Sequence, residues 1–470
     1  MKSRSSSCFF LTPLAALLIL VGSNALGQGG GREGRGRGQG GGKKMTIAAI
    51  FDEGSDVKYE VAFRHAVQWV NRKEGDILHG IDLHPEVVHV RPDDTFSAER
   101  KTCHLLEKGV VAILGPLSKY SSEHIRSITD SMEIPYIETR WNYRSQDVIG
   151  KAGGEYAFNL HPDITTLSQA YLDLLEAYQW TTITILYQDN DSMMTLKAIF
   201  EKTFSVLPSE KFRIVVRKLE KTENGYRDAL METLLSESKL IMLDCEKIIL
   251  EEVLIQCQQV GLVSQGFYFF LTSLDAHTVN LENFKYGGTN FSAFRMVDVD
   301  KPEVSNVIFN IVSAMVDKEL GYSGIPAGNI LLHSGCGQQS SKSCPTGNLD
   351  TTTALIYDSV HAFAIALHNL DKIQQVSTSI FSLIIFVIVI IIMINSFVVI
   401  LVIDIEKVQQ QRLDCSGDEA WPHGNSLFNY MKVGLLFPRL VNCMNGNPIS
   451  YKLCVVMWPK AWYFHRGPSF

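Results

Sequence analysis

Leu105-Leu106-Glu107-Lys108-Gly109-Val110-Val111-Ala112-Ile113-Leu114-Gly115-Pro116 decides how this chain folds. Leu105 to Glu107 close a stretch with helical spacing of apolar residues that starts at Thr95. Val110 to Leu114 are apolar without alternation, the pattern of a strand buried on both faces of a parallel sheet. Gly115-Pro116 then stops the strand.

The same alternation extends in both directions. Thr46–Phe51 is a near-continuous apolar strand, and Val57–Val70 follows as a helix with Val61, Ala62, His65, Ala66 and Trp69 on one face. Leu83–Val90 and Pro135–Glu138 read as strands, and Ser121–Met132 as a helix. Strand and helix in alternation imply an α/β fold with a doubly wound parallel sheet. A second set of elements comes after it. Strands are predicted at Thr182–Tyr187, Phe212–Arg217, Leu240–Leu243 and Phe267–Leu271. Helices are predicted at Ile164–Tyr178, Met193–Phe204, Tyr226–Ser236 and Ile248–Val260, the last ended by Gly261. The fold class is therefore two-lobed, a clamshell of two doubly wound sheets. Residues 45–375 form it, with lobe 1 at about 45–160 and 290–375 and lobe 2 at about 161–285. Pro302–Leu320 and Thr352–Leu370 are the late helices, returning to lobe 1.

The flanks differ in character. Lys2 and Arg4 precede an apolar run, Phe9–Val21, and small residues follow, so 1–27 reads as a secretory signal peptide. Residues 28–44 are rich in Gly and Arg and poor in apolar side chains, a composition for a disordered leader. Ile380–Ile403 is uncharged and long enough to cross a bilayer as a helix. Residues 404–470 show no periodicity. The net charge of −7 over 470 residues gives no reason to expect nucleic acid as a partner. No G-x-S-x-G, H-E-x-x-H or Walker A motif occurs, which points away from an enzyme. Nothing implies a cofactor or a metal.

The order and spacing of several segments carry a resemblance. The stretch from Leu105 to Pro116 resembles the helix–strand–turn of periplasmic-binding-protein-like type I receptor domains. Ile134-Pro135-Tyr136-Ile137 with Trp141, Lys239 to Cys245, Tyr268 to Asp275, Asn290 to Arg295 and Ala354 to Asp358 resemble the amino-terminal domain of ionotropic glutamate receptors of kainate type. The resemblance covers about 45–375 and resumes at 415–432. It implies the extracellular head of a glutamate-gated cation channel at the postsynaptic cell membrane. Such a head pairs with other glutamate receptor subunits as homo- or hetero-dimers within a tetramer. Apolar lobe 1 helices, Val57–Val70 and Thr95–Glu107, are the expected pairing face. The glutamate site and the pore belong to segments downstream of this domain, so this polypeptide alone is expected neither to bind glutamate there nor to conduct ions.

The resemblance also implies a disulfide between Cys103 and Cys415, which an oxidising compartment permits. A single membrane pass at 380–403 would put Cys415 on the far side, so the bridge and the span exclude each other. One reading makes 379–413 and the residues after Val433 translated non-coding sequence and the product secreted. The other makes a single-span membrane protein.

Further candidates come from local sequence. Cys336 and Cys344 flank a Gly/Ser-rich loop and can form a local disulfide, while Cys245 and Cys257 read as buried thiols or a second bridge. Asn190 and Asn290 head glycosylation sequons. Asn190 can instead cap a helix. Ser118, Ser121 and Ser122 lie where a parallel strand meets a helix N-terminus, a corner suited to a ligand carboxylate. The alternative there is N-capping beside an unused cleft.

Overall fold

The computed structural model describes residues 43–55, 57–72, 77–78, 80–142, 156–189, 192–205, 213–236, 238–298, 301–316, 349–395, 408–415, 417, 419–434 and 454–458. The signal peptide and nearly all of the Gly/Arg leader lie outside them. The leader ends earlier than expected, because Lys43 and Lys44 already belong to the first strand.

Lobe 1 opens with β1 (Lys43–Asp52), α1 (Val57–Asn71), β2 (Ile81–Val90) and α2 (Thr95–Lys108). It continues with β3 (Ala112–Leu114), α3 (Lys119–Ser131), β4 (Tyr136–Glu138) and β5 (Ala157–Asn159). All five strands are parallel, in the order β2-β1-β3-β4-β5. β2 is the edge strand, which is why it tolerates Pro85, a residue with no N–H to give to a ladder. Asp94 caps α2 by accepting the Ser97 N–H at 3.0 Å.

Lobe 2 repeats the plan. It contains α4 (Ile164–Ala177), β6 (Thr182–Tyr187), α5 (Ser192–Thr195), α6 (Lys197–Ser205), β7 (Arg213–Lys218) and α7 (Arg227–Leu234). β8 (Leu240–Asp244), α8 (Lys247–Val260), β9 (Tyr268–Leu271) and β10 (Asn290–Arg295) follow. The helix predicted over Met193–Phe204 is thus two short ones. Gly261 ends α8 in the left-handed region at φ 90°, where a side chain would be strained. Along the strands, alternate residues serve two cores. Ile185, Met242 and Phe270 face a core shared with α4, whereas Leu186, Ile241, Leu243, Phe269 and Leu271 face one beneath α7 and α8. The first of these cores is continuous with that of lobe 1.

The chain returns to lobe 1 as α9 (Pro302–Val316) and α10 (Thr351–Asn395). Both pack on α1, whose Val61, Ala62, Phe63, Ala66, Val67 and Val70 are all buried. α1 therefore has no apolar face left to offer a partner, contrary to the expectation for Val57–Val70.

The tail is ordered where the sequence looked aperiodic. Gln410, Leu413 and Trp421 fasten the tail to β1 and to the carboxyl ends of α2 and α3. There the Gln410 Oε1 accepts the Thr46 N–H at 2.8 Å, and the Leu413 N–H donates to the Leu106 carbonyl at 3.0 Å. α11 (Gly424–Gly434) packs on α10. β11 (Cys454–Trp458) adds to lobe 2 as an antiparallel edge strand on β10, giving the order β11-β10-β9-β8-β6-β7.

The membrane helix expected over 380–403 is not supported. Among the described residues no helix is long and apolar enough to cross a membrane. α10 takes in the run only as far as Asn395, and 396–407 lie outside the described residues. The geometry at the two ends gives the physical reason. The Val408 N–H donates to the Gln374 Oε1 at 2.7 Å, so the chain returns to the point where it left. A single pass separates its ends by about 30 Å. Deleting 377–407 is accordingly expected to leave the domain folded. Gln375 and Val376 then span three Cα spacings, about 11 Å, to Val408. The thermal midpoint of the deletion variant should equal or exceed that of the full chain, since a shorter loop loses less entropy on closing. A midpoint lowered by 5 °C or more would count against it.

Candidate functional site

The carboxyl ends of a parallel sheet are where open α/β folds place their chemistry. In lobe 1 these ends present Asp52 at the end of β1, the turn Gly115 to Ser118 after β3, Glu138 at the end of β4 with Arg140 just beyond it, and Asn159 at the end of β5.

Gly115 is required by its neighbour. A Cβ there would stand 1.8 Å from the Tyr136 hydroxyl, so only glycine lets that ring lie across the turn. Ser118 is the N-cap residue of α3, but its hydroxyl makes no capping bond. It donates instead to Asp52 Oδ1 at 2.6 Å, while the Leu117 and Ser118 N–H groups both donate to Asp52 Oδ2 at 2.9 Å. The chain's own carboxylate thus occupies the anion-binding corner that the serine pattern suggested for a ligand. Ser121 and Ser122 are fully buried. Ser122 lies within 3.0 Å of the Tyr136 hydroxyl and donates to Glu138 Oε1 at 3.2 Å.

Glu138 accepts a second bond at Oε2, from Asn142 Nδ2 at 3.3 Å. The Arg140 carbonyl accepts from Asn159 Nδ2 at 2.7 Å, which ties the end of β4 to the end of β5. Burial first, and the Glu138 charge second, push the Tyr136 phenol above its ordinary range, so it stays protonated as a hydrogen-bonding group. In lobe 2 the corresponding end of β8 carries Asp244, which accepts from the Thr272 hydroxyl, and Tyr171 donates to the Thr272 carbonyl at 3.1 Å.

The crossing between lobes is pinned by polar bonds. Asp275 Oδ1 accepts the Thr351 N–H at 2.6 Å, and His277 Nε2 meets the Leu349 carbonyl at 3.1 Å. Asp350 pairs with Lys58 at 3.2 Å and accepts from Tyr59 at 3.1 Å. Burial alone would raise the Asp350 pKa, but Lys58 and the Thr353 bonds outweigh it and hold the carboxyl below its usual value.

The structure joins Cys103, on α2, to Cys415, with Cα atoms 5.7 Å apart across 312 residues of sequence. Cys245 and Cys257 are buried free thiols in lobe 2. Burial pushes the Cys245 thiol up to about 12, so it is not reactive at neutral pH. Asn290 is half-buried at the start of β10. Asn190, Cys336 and Cys344 lie outside the described residues. Asp52 and Gln410 are the residues that sequence reading missed. Asp52 had one available signal, an acid at the carboxyl end of an apolar parallel strand.

A family model described as the receptor family ligand binding region matches residues 58–434. "Glutamate receptor ionotropic, kainate 1" of Rattus norvegicus is 29% identical over 333 residues, covering 70% of this chain and 32% of that protein. The proteins of the same name from Homo sapiens and Mus musculus are each 28% identical over 333 residues, again 70% of this chain, and 33% and 36% of theirs. The chain spans about a third of the length of these relatives. The relatives are receptors by name, and the family match runs from α1 through both lobes to the end of α11. The chain belongs to the receptor family ligand binding region family, and its two lobes form an extracellular amino-terminal domain of the kainate glutamate-receptor type.

Proposed function

We propose that this domain is an assembly head: it pairs subunits of a glutamate-gated cation channel and takes no part in the gating chemistry. The observation that carries the proposal is a pair of exposed aromatics on adjoining lobe 1 helices. Phe96, in the first turn of α2, is 68% exposed, and Tyr120, in the first turn of α3, is 59% exposed. The two helices pack side by side. Large exposed aromatics on a compact domain mark interfaces, where they act as anchors. Around them lie Arg100, which approaches the Phe96 ring at 5.9 Å, and the pair His124–Glu99 at 3.2 Å, a polar rim of the usual kind. The partner is a second copy of this domain or that of a related subunit.

The full chain is expected to sediment as a dimer at tens of micromolar. Phe96→Ser with Tyr120→Ser should convert it to a folded monomer whose thermal midpoint no longer depends on protein concentration and matches that of the parent protein diluted below its dimerisation range. A monomeric parent protein, or a double variant that still dimerises, would overturn the proposal.

A further inference from the structure

Lobe 1 holds one charge that the assembly reading does not use. Arg140 is only 8% exposed and stands two residues beyond Glu138, at the carboxyl end of β4. Its Nη1 donates to the Trp141 carbonyl at 3.3 Å. Its Nε and Nη2 are shut off from solvent and meet no acceptor among the described residues. These two nitrogens form one edge of the guanidinium, with parallel N–H bonds at the pitch of two carboxylate oxygens. The nearby carboxylates are committed elsewhere: Asp52 to the Leu117 and Ser118 donors, and Glu138 to Ser122 and Asn142.

A buried guanidinium edge whose N–H groups meet no acceptor is disfavoured, so the fold gains stability from an anion placed against that edge. The planar fork selects two oxygens held in one plane over a point charge. Burial of the edge selects a small free molecule over a side chain on the surface of a partner. The location fits as well, since ligands of open α/β sheets lie beyond the carboxyl ends of the strands. The geometry points to a carboxylate-binding seat on the Nε–Nη2 edge of Arg140, taking a small free carboxylic acid of the amino-acid or short-chain class. This seat is separate from the Ser118 corner, where Asp52 already does the equivalent work.

The test uses the full chain and sodium acetate as the probe. Acetate is titrated against sodium chloride at constant total sodium, and the thermal midpoint and tryptophan fluorescence are followed, Trp141 being the adjacent reporter. Acetate should raise the midpoint by a few degrees in a saturable way that chloride does not reproduce. Arg140→Gln should abolish the response. Arg140→Lys, which keeps the charge and loses the fork, should shift the acetate midpoint at least tenfold higher, and it decides the question alone if Arg140→Gln is not secreted. Repeating the titration in the Phe96→Ser/Tyr120→Ser background keeps the result independent of pairing. A response equal in chloride and acetate, no saturable response, or an undiminished response in Arg140→Lys overturns the assignment.

Discussion

Replacing Cys103 and Cys415 together with serine is expected to lower the thermal midpoint by about 10 °C. The bond closes a loop of 312 residues. On the chain-entropy model a loop of that size is worth about 6 kcal/mol, while removing a native disulfide from a secreted domain costs about 2–5 kcal/mol in practice, and the upper end of that range is used here. A domain of this size shifts by about 2 °C per kcal/mol. The loss also acts on a particular part of the fold. Cys103 lies on α2, and Cys415 lies two residues after Leu413, whose N–H donates to Leu106 on the same helix. Without the bond, the tail strip is held to lobe 1 by its hydrogen bonds and by the packing of Val408, Leu413, Trp421, Leu427, Phe428 and Met431. Thermal melts with and without reductant check this. Reductant should move the parent protein toward the double serine variant and leave that variant nearly unmoved. A double variant melting within 2 °C of the parent would show that the tail docks without the bond.

Trp421→Ala is expected to cost about 3–5 kcal/mol, the range for removing a large aromatic from a core. Trp421 is 1% exposed and is among the largest fully buried side chains of the protein. Its indole N–H donates to the Gln409 carbonyl at 3.0 Å, and its backbone N–H donates to the Met132 carbonyl at 3.0 Å. One residue therefore fastens the tail to itself and to the end of α3. Trp421→Phe keeps most of the apolar contact and loses the indole bond, so it should cost only about 1 kcal/mol. Urea unfolding of the two variants separates packing from hydrogen bonding. Equal losses in both would mean that the indole bond, and not the volume, dominates.

These two variants bear on a region that the sequence disguised. Residues 404–470 lack periodicity because 408–421 is neither helix nor strand. It meets Thr46 on β1 and the carbonyls of Leu106, Gly109 and Met132 at the ends of α2 and α3 with single hydrogen bonds, and such bonds leave no repeat to detect. The apolar run at 380–403 misled for the opposite reason. Hydropathy reports how a segment would partition if it had to span, and it does not report where the two ends of the segment are held. The bond from Val408 to Gln374 supplies that information.

Most elements of both lobes were legible between Thr46 and Leu271, because buried parallel strands and amphipathic helices write distinct periods, but the three-residue β5 and the later β10 were not read as strands. Even the division of lobe 2 into two cores is implicit in strands such as Tyr268–Leu271, where consecutive apolar residues have to serve opposite faces. The candidate site was legible only as a location. Ser118, Ser121 and Ser122 lie where β3 gives way to α3, but a composition of hydroxyls cannot say whether a ligand or Asp52, 66 residues from Ser118, will fill that corner. Nor could Val57–Val70 be told from Thr95–Glu107 as a pairing face, since both are amphipathic. Coverage of α1 by α9 and α10 removed the first from consideration.

By itself, the sequence determined the two-lobed α/β fold, the order of its strands along the chain, and the kinship that the ordered motifs carry. These follow from local periodicity and spacing, which neighbours in sequence are enough to encode. Only the tertiary structure decided which helices remain bare, what fills the corner beside Ser118, how the tail closes lobe 1, and that Arg140 is buried with one edge uncommitted. Each of those depends on residues brought together from far apart in the chain, and burial and hydrogen-bond satisfaction exist only once they have met.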